Sequence, residues 1–249
     1  MKLKLLNPQH YYSEFRQLTK FVITPVYDSN RELSISQKIS GTWTLFVVKT
    51  VLTVLIGIVM GLVYDPVNQT TNSMAERFNP AALLMVGVFI LPLLEEVAFR
   101  LSLKFKPVYL ALTLGVLGYY ISSKAIYQAK LSDVHHHFEN RMIIVLAIMF
   151  IAYPLFSLPK VKKVLDQFWK NNFKWILYVS SFGFAWVHIF NYELSLEHLL
   201  LMPVITLPKL VGALSYGYAR VNYGFVYSFA IHICNNSIGF MVSTLFGSD

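Results

Sequence analysis

Six polar residues lie in three short groups inside long apolar stretches of this 249-residue sequence. They are Glu95, Glu96 and Arg100 in the first group, His188 in the second, and His232 with Asn236 in the third. An ionisable side chain at membrane depth costs roughly 2.5–3.5 kcal/mol, which makes it a functional candidate. Carboxylate, imidazole and amide groups together supply a base that activates water and donors that stabilise an oxyanion. The three groups therefore indicate hydrolytic chemistry inside a membrane.

The spacing within each group predicts which side chains point the same way. Glu95 and Glu96 are neighbours, about 100° apart on a helix, so they cannot both face one cavity. Glu96 and Arg100 are four residues apart and can form an ion pair on one face, which gives them a mainly structural role. Glu95 is then the carboxylate that is available for chemistry. His232 and Asn236 are also four residues apart and share one helical face.

Other functions remain open for the same residues. Each histidine taken singly is more typical of a hydrogen-bonded packing residue than of a functional one. His188 and His232 on facing helices could be the axial ligands of a haem, but that function leaves the glutamates and Arg100 without a role. A membrane transporter or proton relay would use carboxylate and imidazole together. A non-catalytic membrane scaffold built on the same helices is a further alternative.

The composition is that of a membrane protein. Hydrophobic residues make up 55% of the sequence and charged residues only 14%, with a mean hydropathy of +0.52. A soluble domain carries about 25% charged residues, so this chain could not cover its surface with polar groups. An ordinary soluble enzyme and a disordered chain are both excluded. The single cysteine, Cys234, also excludes a scaffold held together by internal disulfides.

Seven windows of the sequence are long and apolar enough to cross the ~30 Å hydrocarbon core as helices. They are residues 43–64, 80–101, 107–123, 142–158, 173–191, 197–219 and 222–246. We therefore expect an all-α fold, a polytopic membrane helical bundle with about seven transmembrane helices. The expected domain organisation is an N-terminal amphipathic segment, residues 1–42, followed by a single transmembrane domain, residues 43–249.

The Lys and Arg residues between these windows predict the orientation, since such residues are retained on the cytoplasmic side. The N-terminal segment and the alternate connections after it carry 14 of them, counting Lys174 at the edge of the fifth window, and the other connections carry four. We therefore expect a cytoplasmic N-terminus in a multi-pass integral protein of the cell (inner) membrane. The positive charge faces anionic lipid, so the net charge of +8 does not require nucleic acid as a partner.

The N-terminal segment contains a helical pattern of its own. Apolar residues recur at helical spacing from Tyr11 to Val22, with basic residues on the other faces. This pattern is typical of a helix that lies on the membrane surface, and a substrate-binding arm is the alternative. Residues 159–172 show the same pattern before the fifth window.

The three groups, read in order, form the motifs Glu-Glu-x-x-x-Arg, Phe-x-x-x-His and His-x-x-x-Asn, the second of which begins at Phe184. Over about residues 80–245 this order resembles the CAAX-protease and bacteriocin-processing (CPBP, or Abi) family of intramembrane proteases, which includes type II CAAX prenyl endopeptidases. The resemblance implies an endopeptidase that acts on a membrane-associated peptide or protein. In that family the first two motifs are usually separated by little more than one helical hairpin. Here His188 follows Glu96 by 92 residues, which leaves room for two further spans.

The resemblance also implies a division of roles among the motif residues. The implied catalytic set is Glu95, His188, His232 and Asn236, and its structural support is Glu96, Arg100 and Phe184. In one mechanism Glu95 and His188 activate the attacking water, while His232 and Asn236 stabilise the oxyanion. In another, Glu95, His188 and His232 hold Zn²⁺ with one open position, and the metal activates the water. The sequence does not choose between the metal-free and the zinc mechanism.

Overall fold

Helices form all the regular secondary structure of the part of the chain that the computed structural model describes, residues 7–28, 32–64, 66, 74 and 76–246. No strand occurs among these residues, so the expected all-α fold is confirmed. Residues 1–6 and 29–31 of the predicted N-terminal segment and 65, 67–73, 75 and 247–249 of the predicted transmembrane domain lie outside them. The helices are α1 (Pro8–Ile23), α2 (Ile35–Val63), α3 (Pro80–Leu103), α4 (Pro107–Ile121), α5 (Phe138–Ser157), α6 (Pro159–Val187), α7 (Leu196–Leu200), α8 (Met202–Ile205), α9 (Leu207–Asn222) and α10 (Phe225–Phe246).

Five of these helices are long and apolar enough to cross a membrane. They are α2, α3, α5, α10, and α6 together with the 3-10 turn that follows it, His188–Asn191. They coincide with five of the seven predicted windows and support a multi-pass membrane protein. The window 107–123 contains α4, whose 15 residues are fewer than the roughly 17–25 that a crossing needs.

The prediction of one continuous helix over residues 197–219 is wrong. This segment forms the three helices α7, α8 and α9, with breaks at Leu201 and Thr206. Pro203 and Pro208 lie just after the two breaks, and a proline has no N–H to continue the hydrogen bonding of a preceding helix. A hydropathy window does not detect such breaks because it averages apolarity over the whole segment, which stays high across both prolines.

One helix joins two stretches that the sequence analysis treated separately. The amphipathic residues 159–172 and the window 173–191 form the single helix α6, which is kinked at Asn172 (φ −114°, ψ 17°). Phe173 and Leu177, just beyond the kink, are buried in the core of the bundle. The kink therefore separates an amphipathic half from a half that carries the second motif into the bundle.

The short helix α9 lies at the centre of the bundle, where it packs against α2, α6 and α10. Nine of its 16 residues are buried, which is consistent with neighbours on several sides. Small residues allow these helices to approach closely. A Cβ atom at Gly217 would lie only 2.7 Å from a methyl carbon of Leu177 in α6. The ends of α3 and α6 that carry the first two motifs meet beside α9, where the Tyr216 ring lies near both Arg100 and Phe184.

The N-terminal helix α1 is amphipathic. Its buried face, which includes Leu18 and Phe21, packs against α2 and α9. Tyr12 and Phe15 on the other face are exposed. The side chain of Asn7 accepts a hydrogen bond from the backbone of Gln9 and so begins the helix.

Candidate active site

Glu96 is the buried centre of the candidate site, with 0% of its surface exposed. Ser228 donates a hydrogen bond of 2.5 Å to its Oε2 atom, and Nδ1 of His232 lies 3.0 Å from its Oε1 atom. Both partners belong to α10, so Glu96 connects α3 to α10. On its own helix, Nε of Arg100 lies 3.8 Å from Oε1, which is the ion pair that the spacing predicts.

Aromatic rings surround the Arg100 side chain. Its guanidinium carbon lies 3.8 Å from the centroid of the Phe184 ring and 5.3 Å from that of Tyr216. A cation over the face of an aromatic ring is attracted by the ring quadrupole, and more strongly when both groups are desolvated. Phe184, the first residue of the second motif, therefore stabilises the buried positive charge of Arg100 in the first motif.

Glu95 differs from Glu96 in its accessibility, since 21% of its side chain is exposed. Its Oε2 atom lies 3.3 Å from Nε2 of His232, whose other ring nitrogen faces Glu96. His232 thus bridges two carboxylates, and the Tyr216 ring stacks on it with centroids 4.7 Å apart. One carboxylate is buried and held by several partners, while its neighbour reaches an accessible surface. This is the difference in direction that the helical spacing predicts.

His188 lies at the end of α6, where the α-helix becomes a 3-10 turn. Its Nδ1 atom donates to the carbonyl of Phe184 at 2.7 Å, because a carbonyl only accepts. Nε2 is then the unprotonated nitrogen of the neutral ring. The His188 and His232 rings both contact the Phe184 ring, with centroids 4.7 and 5.9 Å from it. The structure therefore places His232, rather than His188, in direct contact with Glu95.

Asn236 is held by a chain of polar groups that the sequence analysis did not identify. Its Oδ1 atom accepts a hydrogen bond of 3.2 Å from Asn235, and Asn235 in turn accepts one from Nζ of Lys49. Its Nδ2 atom donates to the carbonyl of Gly87 at 3.0 Å. Gly87 lies in a π-helical stretch of α3, Met85–Ile90, a type of turn that is frequent at functional sites. Lys49 is only 2% exposed, and a lysine inside an apolar window is the signal that could have identified it.

Two further polar residues influence the Glu95 carboxylate from helices that carry no motif. Lys209, near the start of α9, and Tyr120, near the end of α4, both lie within electrostatic range of it. The side chain of Lys209 is exposed, so it adds positive charge beside an accessible carboxylate. The lysine inside the window 197–219 was a visible signal, whereas nothing in the sequence distinguishes Tyr120 from the other tyrosines.

The donors in the described ranges do not form a zinc site. Oε2 of Glu95 and Nε2 of His232 are 3.3 Å apart, so these two atoms could share a metal ion. A catalytic zinc needs three protein ligands. No group of three or more His, Cys, Asp or Glu side chains in this part of the chain is placed to hold a metal, and His188 does not join the other two. The arrangement fits the metal-free set of roles better than the zinc set.

The candidate site combines an accessible carboxylate, an imidazole held against it and an amide on the same helix as that imidazole. Such groups can accept a proton from water and donate hydrogen bonds to an oxygen anion. No family model, no curated protein and no solved structure matches this chain. The resemblance to the CPBP family therefore rests on the three motifs.

Proposed function

We propose that this chain is an intramembrane peptidase of the CPBP type, which hydrolyses a peptide bond of a membrane-associated peptide or protein. The observation that carries this proposal is the contact between the accessible Glu95 carboxylate and His232, which is itself held by the buried Glu96. Peptide hydrolysis requires a base for water and donors for the oxyanion, and both are present at this contact.

In the proposed mechanism Glu95 is the base. Its carboxylate accepts a proton from a water molecule, and the oxygen of that water forms a bond to the carbonyl carbon of the substrate. The carbonyl oxygen becomes negative and accepts hydrogen bonds from His232 and Asn236. The C–N bond then breaks, and Glu95 returns the proton to the leaving amine.

The other motif residues assist these steps. His188, whose ring contacts the same Phe184 ring as the ring of His232, assists the same water through its Nε2 atom. Glu96 orients the His232 ring through Nδ1, and Arg100 balances the charge of Glu96. Asn236 is oriented by its hydrogen bonds to the carbonyl of Gly87 and to Asn235. Removal of one oxyanion donor typically costs about 2.7–4 kcal/mol of barrier, so the orientation of Asn236 matters.

The proposed topology has seven crossings with a cytoplasmic N-terminus. Beyond the five long helices, α4 and the π-helical turn that follows it, Ser122–Ile126, form one crossing. The helices α7 to α9 form another, which is broken. The excess of Lys and Arg in alternate connections supports a position of α1 on the cytoplasmic leaflet of the cell (inner) membrane.

A proton relay is the second candidate function, and one observation favours it. An imidazole bridged between two carboxylates, Glu95 and Glu96, can pass a proton from one to the other. A relay needs no substrate to be cleaved. The variant Glu95→Gln, which tests the peptidase, therefore also separates the two functions.

The variant that tests the proposal is Glu95→Gln. Glutamine keeps the shape of the side chain and removes the base, so cleavage should fall by at least about 100-fold while the protein stays folded. Labelling of new peptide termini in membranes that contain the wild type or the variant should identify fragments made only by the wild type. The purified protein should then cleave the identified substrate. Glu139→Gln, the same change at an exposed glutamate in α5, is the matched control.

Two results would count against this function. Identical fragments from wild-type and Glu95→Gln membranes would contradict the peptidase. Proton or solute movement across vesicles that Glu95→Gln stops, without any cleavage by the wild type, would establish the relay instead.

A further inference from the structure

The Tyr120 hydroxyl and both terminal nitrogens of Arg100 are buried, and they have no hydrogen-bond partner among the residues that the structure describes. Buried polar groups almost always have a partner, and groups without one in the protein are typical binding places for a small polar molecule. The neighbouring Tyr119 is different. Its hydroxyl donates to the carbonyl of Leu131 at 2.6 Å and accepts from Arg141 at 3.2 Å.

The packing of α4 against α3 brings the Tyr120 hydroxyl within electrostatic range of both Glu95 and Arg100. Thr113 of α4 donates a hydrogen bond of 2.8 Å to the carbonyl of Val97 in α3, which fixes the register of the two helices. Tyr120 lies two turns further along α4, about 10.5 Å from Thr113. Side chains in a helix lean toward its N-terminus, so the Tyr120 ring points back toward that contact. Glu95 lies two residues before Val97, within electrostatic range of the hydroxyl.

The charges around this point indicate a neutral ligand. Arg100 and Tyr120 present donors, and the accessible Glu95 carboxylate presents acceptors. An anion would be repelled by Glu95, and the Arg100 guanidinium offers a cation only donors and no acceptor. A water molecule can accept from the donors and donate to the carboxylate at the same time.

We propose that Tyr120 and Arg100 hold a water molecule against the Glu95 carboxylate, and that this water is the nucleophile. The second part rests on the proposed peptidase function. In the reaction Glu95 takes one proton of this water, and the water oxygen, still held by Tyr120, bonds to the carbonyl carbon. Tyr120 is then a water-positioning residue, supplied by a helix that carries none of the three motifs.

Two neighbouring tyrosines give a matched test, because phenylalanine removes only the hydroxyl from each. Tyr120→Phe should lower kcat about 10- to 100-fold and leave KM within about twofold, the pattern of a contact made only in the transition state. Its unfolding midpoint should equal or exceed that of the wild type, because the lost hydroxyl has no partner in the described protein. Tyr119→Phe should lower the midpoint and keep kcat, because it loses the bonds to Leu131 and Arg141.

A second measurement needs no substrate. Difference infrared spectra between the wild type and Glu95→Gln identify the carboxyl bands of Glu95. Tyr120→Phe should shift these bands, and Tyr119→Phe should leave them in place. An unshifted band with unchanged kcat would overturn the water site and leave the peptidase intact. A shifted band with unchanged kcat would show that the held water is not the nucleophile. A shifted band in a protein that cleaves nothing would support the water site and overturn the peptidase.

Discussion

Arg100 in the candidate site and Arg141 at the start of α5 are both almost fully buried, with 1% and 0% exposed, yet their surroundings differ. The two terminal nitrogens of Arg141 donate hydrogen bonds to the hydroxyls of Tyr119 and Ser123 and to the carbonyls of Lys130, Asp133 and His136. The terminal nitrogens of Arg100 have no such partner in the described part of the chain. Its Nε atom faces Glu96 at 3.8 Å, and its guanidinium carbon lies 3.8 Å from the centroid of the Phe184 ring.

This difference shows what each region does. Both terminal nitrogens of Arg141 have acceptors and so close the loop between α4 and α5, and only its Nε atom has no partner among the described residues. In the same loop, the backbone N–H groups of His135 and His136 donate to Asp133 and hold the pKa of that carboxyl below its usual value. Around Arg100, polar groups remain unmatched beside an accessible carboxylate. The loop region thus satisfies the terminal nitrogens of its arginine internally, whereas the candidate site leaves those of Arg100 and the Tyr120 hydroxyl without a partner in the described part of the chain.

The largest change in stability is expected from Glu96→Gln. The change leaves the buried Arg100 without its opposite charge, and loss of one partner of a buried ion pair typically costs about 3–5 kcal/mol of unfolding free energy. It also weakens the bonds that Glu96 accepts from Ser228 and His232. Denaturant titration of the protein in mixed micelles measures the loss, and the exposed Glu139→Gln is its control.

The two adjacent glutamates are expected to have different roles, one in catalysis and one in stability, which makes this prediction specific. Glu95→Gln should remove activity and keep stability, and Glu96→Gln should chiefly remove stability. If both variants are equally stable and equally inactive, the division is wrong and both carboxylates act in catalysis.

A smaller loss is expected from Arg141→Lys. Lysine has three donors without the planar fork of arginine, so part of the five-bond set around the loop must be lost. We expect about 1–3 kcal/mol of destabilisation with unchanged kcat in the folded fraction. Unfolding in micelles and active-site titration measure the two quantities separately.

The same change at the other arginine completes the comparison. Arg100→Lys should lower kcat, because the donors that face the water are removed. Equal kcat losses in Arg100→Lys and Arg141→Lys would mean that the two regions are not distinct in function.

Features that depend on one helix alone could be predicted from the sequence. The pairing of Glu96 with Arg100, and the different direction of Glu95, follow from the rise and turn of an α-helix. Five of the seven windows contain helices of spanning length, because length and apolarity are local properties.

Features that depend on packing between distant helices could not be predicted. Lys49 and Asn235 are 186 residues apart in sequence and meet only because α2 and α10 are neighbours. The contact of Glu95 with His232 rather than His188 has the same origin. The breaks around α8 were missed for another reason. The mean hydropathy of a window does not register that Pro203 and Pro208 interrupt the hydrogen bonding of a helix.

Removal of metal ions is expected to change neither the turnover nor the stability of the protein, which is the smallest effect of all. The described donors bring only Glu95 and His232 to a shared point, so turnover and unfolding midpoint should both survive prolonged chelation. Elemental analysis of active, detergent-purified protein measures bound metal directly. About one zinc per chain, required for turnover, would show that His188 moves to complete a three-ligand site.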